Sequence, residues 1–119
     1  MSKLALRTEA NLNKIMKMDI KIIRKKIKNG EYDLSEHAHK ERQSEQILIK
    51  EIEHAVLKGD IIEKYLEDPR GVSCLIASKT LHVVCGFRGD RLLIVTVYRP
   101  KPPIWINWKI RNKELQSRV

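Results

Sequence analysis

Two apolar runs in the last third of the chain, LHVVCGF over Leu81–Phe87 and LLIVTVYR over Leu92–Arg99, are separated by Arg88-Gly89-Asp90-Arg91. Val, Ile, Leu and Tyr suit a pleated, half-buried surface, and Gly89-Asp90 supplies a turn, so the pair reads as a β-hairpin. Pro100 lacks an N–H and ends the second arm. Pairing Phe87 with Leu92 sets His82 opposite Val97, Val83 opposite Thr96 and Leu81 opposite Tyr98. Period-two alternation then places His82, Val84, Val95, Val97 and Arg99 on one face. Leu81, Val83, Cys85, Leu92, Ile94, Thr96 and Tyr98 share the other, which is the more apolar and is expected to face the core.

Upstream the period changes. Leu12, Ile15, Met16, Ile20, Ile23 and Ile27 follow helical steps of three and four, predicting a basic helix over 9–29 that stops at Asn29-Gly30. Residues 31–34 read as an extended link. Ser35 is a plausible N-cap for a polar helix through Gln43, and a second run with Ile47, Ile49, Ile52, Ala55, Val56 and Leu57 closes at Lys58-Gly59. Ile61–Leu66 is read as the first strand, Ser73–Ser78 as the second, and the hairpin as the third and fourth. After Pro102-Pro103 the tail, with Trp105 and Trp108, is expected to fold back over the core as a short helix. Helices followed by strands make an α+β domain, with N-terminal helices on one face of a four-stranded antiparallel sheet. The chain divides into a leading basic helix (1–30), a helix-plus-sheet body (31–100) and a tail (101–119), all in a single domain (1–119).

Size agrees with that reading, because 119 residues hold one real core. Charge changes the picture more. The net charge is +9, and it is unevenly placed: residues 1–30 carry nine Lys/Arg and two acids, 31–68 five and eleven, and 69–119 ten and two. The sheet half is therefore basic, which points to polyanionic partners and to phosphate contact by that half. Cys74 and Cys85 lie in apolar strand runs and read as small buried hydrophobes. No run approaches the ~20 apolar residues of a membrane helix, and nothing suggests export, so a cytoplasmic protein with no membrane partner is expected.

Five blocks in order resemble a bacterial family of small domains of unknown function, number 4258. They are Tyr32-Asp33-Leu34-Ser35-Glu36-His37-Ala38, Gly59-Asp60-Ile61-Ile62-Glu63-Lys64-Tyr65, Ser73-Cys74-Leu75-Ile76, Leu81-His82-Val83-Val84-Cys85 and Ile94-Val95-Thr96-Val97-Tyr98-Arg99-Pro100. The resemblance spans roughly Ile20 to Trp108. It implies the BECR fold of barnase, EndoU, colicin and RelE-like RNases. It also implies a toxin-like, metal-independent endoribonuclease, encoded beside a small antitoxin of zinc-finger type and acting on RNA, mRNA included. His37, His82, Thr96 and Tyr98 match the family pattern. Arg42 stands for the arginine that follows the His-Ala pair, and Gln46 occupies a place where many members carry an arginine.

The chemistry asks for a base on the 2′-OH, an acid on the leaving 5′-oxygen and a donor for the phosphorane. His37 and His82 are the candidate proton carriers, because histidine titrates near pH 6.5. Arg42 and Arg99 are the candidate phosphate clamps, with Tyr98 as a hydrogen-bond donor or stacking surface and Thr96 beside it. Arg70, Arg88, Arg91 and Lys101 are candidate RNA contacts in the basic half. No cofactor is called for. His37 and His39 point about 200° apart on a helix, so with Glu41 they make a poor metal site. Two other readings stand beside the enzyme. One is a non-catalytic RNA-binding or partner-binding module of the same fold. The other is a homo-oligomer or partner-bound protein built through the basic helix and the tryptophan tail.

Overall fold

The structure, a computed structural model, describes residues 18–111. It runs α1 (Ile20–Lys28), β1 (Tyr32–Leu34), α2 (Glu36–Ser44), α3 (Ile49–Lys58), β2 (Asp60–Tyr65), β3 (Ser73–Ala77), β4 (His82–Arg88) and β5 (Arg91–Tyr98). The expected α+β architecture is present, with the helices against one face of the sheet. The Asp19 carboxylate accepts from the Lys21 N–H at 2.8 Å and so caps α1, whose Ile23 and Ile27, four residues apart, are both buried. The part of the expected basic helix before residue 18 lies outside the described residues.

The sheet corrects the expectation of four antiparallel strands. It has five, in the order β1-β5-β4-β3-β2, and it is mixed, because β1 runs parallel to β5. The stretch read as a link is that extra strand. Three residues carry no alternation to read, and their partners, Leu92–Ile94, lie some sixty positions downstream.

The second correction is a bulge. Phe87 does pair with Leu92, and Cys85 with Ile94, as the hairpin register requires. Beyond that point Val84 pairs with Thr96, Val83 with Val97 and His82 with Tyr98, so Val95 is an extra residue in β5. One extra residue reverses every later side chain. Val97 is therefore buried on the helix side, whereas Thr96 and Tyr98, expected in the core, stand on the opposite face with His82. Arg99 moves the other way, to the helix side, where Nη1 donates to Glu51 at 3.1 Å.

The core between helices and sheet joins Ile23, Ile27, Ile47, Ile52 and Val56 to Ile76, Val83, Cys85, Leu92, Ile94 and Val97. Cys74 and Cys85 face each other across β3 and β4 as buried free thiols; burial pushes Cys74 up to about 12 and raises Cys85 well above its ordinary value.

Short β1 leaves the outer edge of the second half of β5 without a strand neighbour, and α2 takes that place. The Val97 N–H donates to Glu41 and the Arg99 N–H to Glu45, both at 3.1 Å. Ser35 ties the junction twice: its Oγ accepts from the Ala38 N–H (3.0 Å), capping α2, and donates to the Val95 carbonyl (2.8 Å) at the bulge. Ser35→Ala removes both bonds. It is expected to cost about 1–2 kcal/mol, read as a lower denaturation midpoint at unchanged slope, and Ser35→Thr should restore most of it. An unchanged midpoint would show that the bulge holds without this anchor.

After β5 the tail crosses the far face of the sheet as a strap, residues 101–111. It is not the short helix expected: turns at 102–104 lead to an isolated bridge between Trp105 and Arg111.

Candidate functional site

Residues opposite one another in register share a face, so the far face reads as rows across the strands. One row is Tyr65, Ser73, Gly86, Leu93; the next is Glu63, Leu75, Val84, Thr96; the third is Asp60, Ala77, His82, Tyr98. The strap lies over the third row and the Glu63 end of the second. Trp105 packs edge-on against the His82 ring, centroids 4.4 Å apart, and the Arg111 guanidinium sits 4.6 Å from the Trp105 ring centre. Arg111 also reaches Glu63 through two bonds of 3.1 and 2.9 Å, and Lys109 pairs with Asp60 at 3.0 Å.

Under this cover His82 is fully buried, with both ring nitrogens engaged. Nε2 meets the Trp108 carbonyl and Nδ1 lies 3.1 Å from the Tyr98 hydroxyl. A carbonyl only accepts, so Nε2 carries the proton. In the neutral ring Nδ1 is then bare and accepts from the Tyr98 O–H. Burial lowers the His82 pKa, outweighing the Trp108 carbonyl and the nearby Glu63 charge, which favour the proton. Tyr98 and Tyr65 are both raised, chiefly by burial. Glu63 goes the other way: burial opposes ionisation, but hydrogen bonds from Arg111 and Tyr65 and the Arg111 charge hold its carboxyl below the usual range. At neutral pH the cluster therefore combines an ionised carboxylate, a neutral imidazole and two protonated phenols beside one guanidinium.

The six residues expected to be catalytic are divided by the sheet. His82, Thr96 and Tyr98 share the far face. His37 stands 68% exposed on α2, its Nε2 3.3 Å from Glu41, and lines a cleft of about 290 Å³ with Lys40, Glu41, Val97 and Tyr98. Tyr98 thus has His82 at its hydroxyl and borders the cleft that His37 lines. Arg42, also on α2, has a buried Nε without a hydrogen-bond partner among the described residues. Arg99 is committed to Glu51 on the helix side. Of the expected RNA contacts, Arg88 and Lys101 are exposed, and Arg70 is exposed but paired with Asp68. Arg91 is held by Asp33 at 2.8 and 3.1 Å and by the Tyr32 carbonyl.

Sequence reasoning missed Glu63, Tyr65, Trp105 and Arg111. Glu63 and Tyr65 carried a signal, two polar-tipped residues in step within an apolar strand. Trp105 carried part of one, since its tail was expected to fold back over the core, but nothing in the sequence says where the strap crosses, and Arg111 carried none. Among the described residues no three His, Cys, Asp or Glu side chains gather as a metal site, and no helix is long and apolar enough to span a membrane.

No curated protein and no solved structure matches this chain. A family does: the sequence profile described as Domain of unknown function (DUF4258) matches residues 34–99, the stretch that ends β1 and supplies α2, α3 and the other four strands, and the chain belongs to that family.

Proposed function

We propose that this protein is a metal-independent endoribonuclease of the BECR, RelE-like kind, the toxin of a toxin–antitoxin pair, with its reacting groups in the far-face cluster. The observation that carries the reading is the placement of Glu63 and His82 on β2 and β4, with Leu75 and Ala77 of β3 between them. Two strand spacings and a stagger of two residues along the strand put their backbones about 12 Å apart. With the strap lifted from them, the two side chains would flank a phosphodiester, as in-line attack on phosphorus requires. Ionised Glu63 is the base for the 2′-OH. His82, once protonated, is the acid for the leaving 5′-oxygen. Tyr98 holds the imidazole in one tautomer, and Arg70, exposed in the groove that Tyr65 and Thr96 also line, is the guanidinium for a phosphate.

The test is cleavage of single-stranded RNA by the purified chain in EDTA. Glu63→Gln and His82→Ala are each expected to slow it by about 100-fold or more. Cleavage at the wild-type rate in both variants would overturn the assignment. The second reading, an RNA-binding module without catalysis, is favoured by the strap over His82 and by the commitment of Arg99 to Glu51 on the helix side. It predicts binding that weakens steeply with salt and yields no product.

A further inference from the structure

Beside the strap, the far face stays open as a groove of about 440 Å³ between the sheet and the 66–72 turn. We propose that this groove is a nucleotide subsite, taking one flat base of a single RNA strand on its floor and an adjoining phosphate at Arg70. The inference rests on the reading of the neighbouring cluster as an RNA-cleaving site and supplies what that reading lacks, a place for the substrate.

The size is that of a small-molecule site, whose usual range is about 300–1,000 Å³. The floor is apolar, made by Val84, Leu93 and Val95 around Gly86. The glycine is what keeps it open. A Cβ at position 86 would come within 3.3 Å of the Val72 carbonyl, 3.6 Å of the Val95 Cγ2 and 3.8 Å of the Ser73 Cβ, and all three residues line the groove. A strand position without a side chain leaves a flat slot, the shape a planar ring fills. Ser73, Tyr65 and Thr96 line the same slot and carry hydroxyls, and hydroxyls suit the polar edge of a base better than a hydrocarbon chain.

Arg70 is the groove's anion contact, although its ion-pair partner Asp68 lines the groove as well. Arg70 lines the groove with its side chain 89% exposed, tied through Nε and Nη2 to Asp68 only two residues away. An exposed pair of this kind is weakly held, so the guanidinium is available to a phosphate. Residues 69–119 carry ten basic side chains against two acidic. Connection to the chemistry is direct. Tyr65 borders the groove and bonds Glu63, and Thr96 lies in the Glu63 row. A base in the groove therefore sets its own sugar and phosphate toward the cluster.

A ribonucleoside 3′-monophosphate, titrated into the full-length chain and followed by backbone amide NMR and calorimetry, tests this. It is expected to shift the signals of Val84, Gly86 and Thr96, and to bind at least tenfold more tightly than inorganic phosphate. Gly86→Val fills the floor and should weaken it tenfold or more, and Arg70→Ala should weaken it and flatten its salt dependence. Shifts confined to the lysine face of α1, or equal affinity for phosphate alone, would overturn the proposal without any variant. So would unchanged binding by a folded Gly86→Val protein. Failure of the two readings is separable. A chain that binds the nucleotide in the groove yet cuts no RNA keeps the subsite and loses the enzyme. A chain that cuts RNA equally well with Gly86→Val keeps the enzyme and loses the subsite.

Discussion

Gly59→Ala is expected to be among the most damaging single-methyl changes available to this fold. The residue joins α3 to β2 with φ −80° and ψ 177°, an extended conformation open to any amino acid, so backbone freedom does not explain it. Space does. A Cβ there would lie 2.5 Å from the Ala55 carbonyl oxygen in α3 and 2.6 Å from the Ala77 carbonyl oxygen in β3. Both obstacles are backbone, and neither can swing aside like a side chain, so the end of the helix and the strand would have to separate. Val56 and Ile76, next in sequence to these carbonyls, are fully buried in the core, so that separation would loosen the core itself. Overpacking commonly costs about 1–3 kcal/mol and more where the backbone must shift. With a total stability of about 5–15 kcal/mol for a domain, a loss of about 3 kcal/mol is a large part. Thermal unfolding followed by circular dichroism should show the midpoint fall by roughly 10 °C or more. A fall under about 3 °C would mean that helix and strand do not approach this closely.

Gly59 was legible in the sequence as the end of a helix, and it is one, but the physical reason for the glycine was not. Similar gaps between pattern and cause mark the rest of the chain. Helical periods around Ile23, Ile52 and Val56 found the buried stripes, because apolar spacing reports which side of a helix meets a core. The Ser35 cap was readable because capping is local. Strand β1 was not, since its reason for being a strand is a parallel partner that lies far along the chain.

The bulge is the more instructive case. Val95-Thr96-Val97-Tyr98 alternates acceptably in either register, with a β-branched residue on each face whichever way it falls. Apolar pattern therefore could not detect the extra residue, and the face of Tyr98 and Arg99 came out reversed. The consequence for the site is large. In the expected register His82 would share a face with Arg99, a phosphate clamp. In the structure it shares one with Tyr98, a hydrogen-bond donor, and the guanidinium nearest the cluster comes instead from Arg111 in the strap. Backbone satisfaction supplies the missing cause. With β1 ending at Leu34, the β5 edge beyond Ile94 needs other partners, and Ser35, Glu41 and Glu45 provide them. The helix that the sequence showed only as polar is thus also the cap of an open sheet edge.

Trp105→Ala is expected to uncover the cluster while leaving the domain folded. A buried tryptophan removes about 150–250 Å² from water, worth roughly 4–6 kcal/mol at ~25 cal/mol per Å². The strap's other holds are weaker: the Lys109–Asp60 pair is largely exposed and contributes about 0–1 kcal/mol, the bond from His82 Nε2 to the Trp108 carbonyl contributes about 0.5–1.5 kcal/mol, and the Arg111–Glu63 pair is partly exposed and loses its position once the segment lifts. Trp105 therefore dominates the docking of the strap. It does not belong to the core between helices and sheet, so its loss frees the strap rather than opening that core. His82 then loses both the Trp108 carbonyl and its cover. The burial that holds its pKa down is then gone, and the imidazole should titrate near the ordinary value of about 6.5. Ring-proton NMR reads that shift directly. Stability should report it a second way. In the parent chain the unfolded state binds a proton near pH 6.5 that the folded state refuses, so stability falls as pH drops below that value toward the lower folded pKa. In Trp105→Ala the two values converge and this part of the pH dependence flattens. An unshifted His82 titration in the variant would show that the sheet, and not the strap, buries the imidazole. If the cluster is the cleaving site, the same variant should also cut RNA faster than the parent chain, because the acid is then both protonated at neutral pH in a larger fraction and open to the 5′-oxygen.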